Sequence, residues 1–60
     1  MKTEYKIIVD LIEEKTRVLD VGCDDGTLME SLKKNKNVDA RGIEISKDKV
    51  QTCVSKGLTV

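Results

Sequence analysis

Four carboxylates and two glycines carry most of the chemistry this chain can do. Asp20, Gly22, Asp24, Asp25 and Gly26 crowd into "LDVGCDDG", and Glu44 closes the apolar stretch "GIE" further on. A glycine turn between a strand and a helix commonly cradles an anion on its backbone amides. Here the turn is itself acidic. A pyrophosphate would meet Asp24 and Asp25, and the Gly-x-Gly-x-x-Gly spacing of a dinucleotide site fails, with Asp24 and Thr27 where glycines are needed. A Walker-type phosphate loop fails for want of a Gly-Lys-Ser/Thr ending. A nicotinamide-binding Rossmann fragment is therefore the weakest reading. A nucleoside ligand with positive charge in place of phosphate suits the acids. S-adenosylmethionine is such a ligand, with an ammonium, a sulfonium, a ribose diol and an adenine. Gly22 and Gly26 would admit it close to the backbone, with Cys23 and Asp24 in the same loop. Asp20 or a neighbouring carboxylate would face the cationic end. Glu44 would accept both ribose hydroxyls, as acids do in dinucleotide folds, and Ile45 would pack on the adenine.

These residues need a scaffold that brings two strand ends together. Tyr5, Ile8, Val9, Leu11 and Ile12 fall at helical spacing and predict a helix over Tyr5–Glu14. Arg17–Val21 reads as a strand. Leu28, Met29 and Leu32 mark one face of a helix over Thr27–Lys34, followed by the lysines and asparagines that suit a helix C-terminus. Val38–Ile45 reads as a second strand. Ser46 is the N-cap of a third helix with Val50, Cys53 and Val54 as its buried stripe; Gly57 stops it, and Leu58–Val60 begins a third strand. The order helix-β-α-β-α-β predicts an α/β fold, the N-terminal part of a Rossmann-like, doubly wound parallel sheet. Ligands of such sheets bind beyond the carboxyl ends of the strands, where the acidic loop and Glu44 both fall. An acid closing an apolar strand has little structural purpose, so Glu44 is expected to contact ligand. Asp24 and Asp25 serve equally well as caps of the second helix, Asp20 as an acceptor for loop amides, and Cys23 and Cys53 as small packed residues.

Sixty residues allow one small domain, of a size that usually needs a staple or a partner. A formal net charge of zero gives no general grip on nucleic acid or an anionic membrane. The aliphatic runs are too short to span a bilayer, and "MKTEYK" has no secretory pattern. Two cysteines and no histidine make neither a metal motif nor a disulfide scaffold, so a reducing cytoplasm is the expected setting. No nucleophile–base pair can be assembled, and no catalytic residue is assigned.

Val18–Gly26 resembles the first motif of class I S-adenosylmethionine-dependent methyltransferases, and Gly42-Ile43-Glu44-Ile45 resembles their second. "RVLDVGCDDGTLMESL", "GIEISKDKV" and "CVSKGLTV" together resemble the MetW family of methionine-biosynthesis proteins, over roughly residues 11 to 60. There are two departures from the pattern. The loop usually has glycine where this chain has Asp24, and Ser46-Lys47 replaces the acid–proline pair common after the second strand. Because aspartate tolerates left-handed backbone, Asp24→Gly is expected to keep or improve cofactor affinity. The resemblance implies that residues 1–60 are the cofactor-binding half of a longer methyltransferase-like domain. It also implies a role in methionine biosynthesis beside homoserine O-acyltransferase, without methyl transfer by this half alone. In that fold the first strand is central, so here Arg17–Val21 would present a bare apolar edge and favour self-association. The rival reading is a non-catalytic partner-binding module whose acids only shape a turn.

Overall fold

Two parallel strands form the sheet. Arg17–Val21 (β1) pairs with Asp39–Ile43 (β2), Arg17 beside Asp39 and Val21 beside Ile43. The computed structural model describes residues 2–60. Helix Thr3–Leu11 (α1) precedes β1, Thr27–Lys36 (α2) connects the strands, and Lys47–Ser55 (α3) follows β2. Parallel neighbours cannot be joined by a tight hairpin, so a crossover such as α2 is obligatory. Side chains alternate across the sheet. Val18, Asp20, Ala40 and Gly42 are at least partly buried, whereas Arg17, Leu19, Val21, Asp39, Arg41 and Ile43 are exposed. All three helices contribute to the core on the covered side: Val9 from α1, Met29 and Leu32 from α2, and Cys53 from α3, joined by Val38, Ala40 and Leu58.

Two glycines set how closely these layers approach. A Cβ on Gly42 would lie 2.6 Å from Cys23 Sγ and 2.8 Å from Met29 Sδ. One on Gly26, whose φ is +84°, would lie 2.4 Å from Leu58 Cδ1. A larger residue at Gly42 would push Cys23 and Met29 away from β2, and one at Gly26 would push the loop after β1 off Leu58 and Cys53 and also strain the backbone.

The predicted α/β order holds through α3, with several boundaries moved. Helix α1 ends at Leu11 rather than Glu14, because Ile12 is already extended (φ −89°, ψ 132°). Lys15 then takes a positive φ of 63° and donates its N–H to Lys36 O at 2.9 Å, which swings the chain into β1. Of the stripe predicted for this helix only Val9 is buried, and Leu11 is 78% exposed. Helix α2 runs on to Lys36 and stops at Asn37, in left-handed conformation. Strand β2 stops at Ile43, leaving Glu44 and Ile45 in a loop. The third strand does not form. Leu58–Val60 makes a single bridge, Thr59 beside Arg41, with Gly42 N–H donating to Thr59 O at 2.9 Å. The residues before it are committed to ending α3: Gly57 N–H donates to Val54 O at 2.9 Å and Leu58 N–H to Cys53 O at 3.0 Å. That is the Schellman pattern, with glycine at the left-handed position.

Among the described residues strand β1 has a neighbour on one side only. Beside its free edge lie Leu19 and Val21, 61% and 73% exposed, with Ile43 next to Val21 on the same bare face. Unpaired strand edges recruit other strands. Sedimentation equilibrium over a concentration series should therefore show the mass rising above that of a 6.7 kDa monomer. A compact, cooperatively melting monomer at low micromolar concentration would contradict the edge argument.

Candidate functional site

The carboxyl ends of β1 and β2 lie side by side, and the chain leaves both through loops that bond to each other. After Val21 the backbone turns at Gly22 (φ +75°), and beyond its chain neighbours no atom of the described residues lies within 4 Å of where a Cβ would project. Gly22 and Cys23 both donate their N–H groups to Ile43 O, at 2.7 and 3.1 Å. Asp24 N–H donates to Glu44 Oε1 at 2.8 Å, and Gly26 N–H to Cys23 O at 3.0 Å. These four amides are thus held by acceptors of the chain itself. A glycine loop built as a phosphate cradle would leave such donors pointing at its ligand; this loop does not.

Glu44 holds the junction. Its Oε1 accepts from Asp24 and its Oε2 from Ser46 N–H at 2.9 Å. These two backbone donors keep its carboxyl below the usual glutamate value of 4.5. The expectation that Glu44 has little structural purpose is corrected by this geometry, since its carboxylate ties the loop after β1 to the start of α3. Ser46 is the N-cap of α3, as predicted, its Oγ accepting from Lys49 N–H at 3.5 Å.

The two aspartates of the loop do different work. Asp25 caps α2, its Oδ1 accepting from Thr27 N–H at 3.0 Å and from Thr27 Oγ1–H at 2.7 Å, and those bonds hold its carboxyl low. Asp24 makes no cap. It sits in left-handed backbone (φ 56°), and its carboxylate pairs with the Lys49 ammonium on α3. The pair lowers the Asp24 carboxyl and raises Lys49. Asp20 is half-buried and, among the described residues, has neither ion pair nor hydrogen-bond donor; burial raises its carboxyl above the usual 3.8.

Cys23 points beneath the loop. Its side chain is buried against Gly42, and burial first, then the neighbouring Cys53, push its thiol up to about 11. Cys53 donates its thiol to Asp24 O at 3.3 Å, so both cysteines support the loop from below. Ile45, next to Glu44 in the loop after β2, is 98% exposed. The residues that sequence reasoning missed are Lys49 and Lys56. Lys56 Nζ donates to Asp25 O at 2.9 Å and pairs with Glu30 at 3.1 Å. The signal available for Lys49 was its place in the first turn of a helix that starts beside the acidic loop. Among the described residues no group of three or more His, Cys, Asp or Glu side chains is placed to hold a metal ion, and no helix is long and apolar enough to cross a membrane.

The site therefore consists of a glycine turn whose Gly22, Cys23, Asp24 and Gly26 amides are held by the chain, an anchored glutamate after β2, and an aspartate near the end of β1 that has no ion-pair partner among the described residues. The family model described as methionine biosynthesis protein MetW matches residues 2–60. The chain belongs to the MetW family. No curated protein and no solved structure matches it. In this MetW chain the left-handed φ of Asp24 gives the physical reason that glycine suits the position, and an aspartate is among the side chains that tolerate it.

Three of these carboxyls, on Glu44, Asp24 and Asp25, are held below their ordinary values. Each contributes stability that is complete above the unfolded value and is lost as pH falls through the folded one. Asp20 has the opposite sign: its folded value is raised, so its ionisation costs stability as pH rises through that value. Melting temperature should fall on acidification below about pH 5. Glu44→Gln, which keeps the shape but removes one acceptor and the charge, should flatten part of that slope. Circular dichroism melts across the acid range measure this. An unchanged slope in the variant would show that the Glu44 carboxylate does not hold the loop.

Proposed function

We propose that this MetW chain is the S-adenosylmethionine-binding part of a methyltransferase-like protein of Rossmann-like fold, acting in methionine biosynthesis. The observation that carries the reading is the Glu44 carboxylate. Each carboxylate oxygen can accept about two hydrogen bonds. The amides of Asp24 and Ser46 take one on each oxygen, which leaves one acceptor direction on each for a ribose diol. The anchoring that gives Glu44 a structural role also fixes it for recognition, since a carboxylate already oriented loses little freedom on binding.

The surrounding residues fit the same ligand. The space beside Gly22 is open to a close-lying group. Asp20, with no cation of its own, supplies negative charge for an ammonium or sulfonium. Ile45, almost wholly exposed, offers an apolar surface to an adenine. A pyrophosphate finds fewer donors here, because the amides of Gly22, Cys23, Asp24 and Gly26 are already used. The partner-binding alternative accounts for the capping by Asp25 but leaves Asp20 without a role. When bound, S-adenosylmethionine supplies an electrophilic methyl group. The chain's own residues bind and orient it, and orientation is a large share of what methyl transfer to a good nucleophile requires. Membership of the MetW family supports the link to methionine biosynthesis. A place beside homoserine O-acyltransferase belongs to the same proposal.

Isothermal titration of the protein with S-adenosylhomocysteine and with NAD tests the reading. S-adenosylhomocysteine should bind and NAD should not. Glu44→Ala, with its fold checked by circular dichroism, should weaken S-adenosylhomocysteine about ten- to hundredfold, the loss of charge-assisted hydrogen bonds to two hydroxyls. Unchanged affinity in that variant, or preference for NAD, would overturn it.

A further inference from the structure

We infer that Lys49 is an internal competitor at this site, its ammonium occupying the acidic mouth that a cationic ligand would use. The inference rests on reading the site as one for S-adenosylmethionine. Lys49 reaches from α3 to the Asp24 carboxylate, and the backbone N–H of that same Asp24 is bonded to Glu44. The ammonium is thus one residue away from the proposed ribose acceptor, and its charge acts on Glu44 and Asp25 as well as on Asp24.

The placement runs against local preference. Lys49 is in the first turn of α3, where the helix dipole disfavours a cation and favours an anion. What accounts for a cation there is the acidic loop opposite. The side chains of both partners are about half exposed, at 50% and 48%. Exposed ion pairs of this kind are held weakly, and a lysine stem has the freedom to swing away. The backbone of Lys49, by contrast, is fixed by its N–H bond to Ser46 Oγ. The arrangement is a movable charge on a fixed hinge, and an arriving cation would take over Asp24 as Lys49 leaves it.

The consequence is a charge-selective change in affinity. S-adenosylmethionine carries a net charge one unit more positive than S-adenosylhomocysteine, so removing the Lys49 charge should favour the former more. Isothermal titration with both ligands, on the wild type, Lys49→Met, Lys49→Gln and Lys49→Arg, measures this. The two neutral variants should bind S-adenosylmethionine about three- to fivefold tighter than wild type, with a smaller gain for S-adenosylhomocysteine. The advantage should shrink as salt is raised, and Lys49→Arg should behave as wild type. The ion pair also makes the sequence expectation for Asp24→Gly conditional. With Lys49 in place that variant should bind S-adenosylmethionine more weakly, because it leaves an unpaired cation at the mouth, and Lys49→Met in the same chain should restore binding. Folded neutral variants that bind S-adenosylmethionine no tighter than wild type would overturn the inference and make Lys49 a strut of the loop. That result is separate from failure of the site reading, in which wild type and variants alike bind neither ligand and both conclusions fall.

Discussion

The carboxylate of Glu44, shared between the amides of Asp24 and Ser46, is the joint on which the arrangement of the two strand-end loops depends. Parallel pairing brings the ends of β1 and β2 together, but it leaves the two loops that follow free to diverge. Ile43 O draws in the first two amides of the loop after β1, and Glu44 takes the next. The same side chain then turns the chain into α3 through Ser46. The acidity of the loop follows from this arrangement. With the amides of Gly22, Cys23, Asp24 and Gly26 held internally, the turn offers fewer donors to an anion than an open glycine loop would.

Packing beneath the loop makes the joint rigid. Gly42 lets Cys23 and Met29 close on β2, and Gly26 lets Leu58 and Cys53 close on the loop. Small sulfur-bearing side chains suit these positions because little volume is left between backbone segments. Burial raises the Cys23 thiol further from its ordinary value, in keeping with a packed rather than an activated cysteine. Leu58 shows how tightly the parts are coupled. The residue that closes the cap of α3 also fills the space against Gly26, which binds the helix end to the loop after β1.

Much of the fold was legible because its signals are local. The apolar run of β1, the stripe of α2, the Ser46 cap and the Gly57 stop each lie within a few residues of what they determine. What was not legible depends on distant partners. Helix α1 ends early because Lys15 bonds to Lys36 O at the far end of α2. Leu58–Val60 makes one bridge instead of a strand because Leu58 is drawn into the helix cap and the core. The structural role of Glu44 was hidden because one of its two partners is a backbone amide in the loop after β1, which sequence spacing does not place beside it. Lys49 escaped notice for the related reason that its pairing with Asp24 exists only once α3 stands beside the loop.

Nucleoside binding at the joint made by Glu44 is the proposal on which the functional reading turns. Backbone amide spectra of the isotope-labelled protein, recorded while S-adenosylhomocysteine is added, test it most directly. The amide signals of Gly22, Asp24 and Ser46 should move together and saturate, since a diol on Glu44 would alter the bonds those amides make or border. Shifts confined to the groove lined by Lys33, Lys34, Lys56 and Leu58, with the signals of Asp24 and Ser46 unmoved, would contradict it.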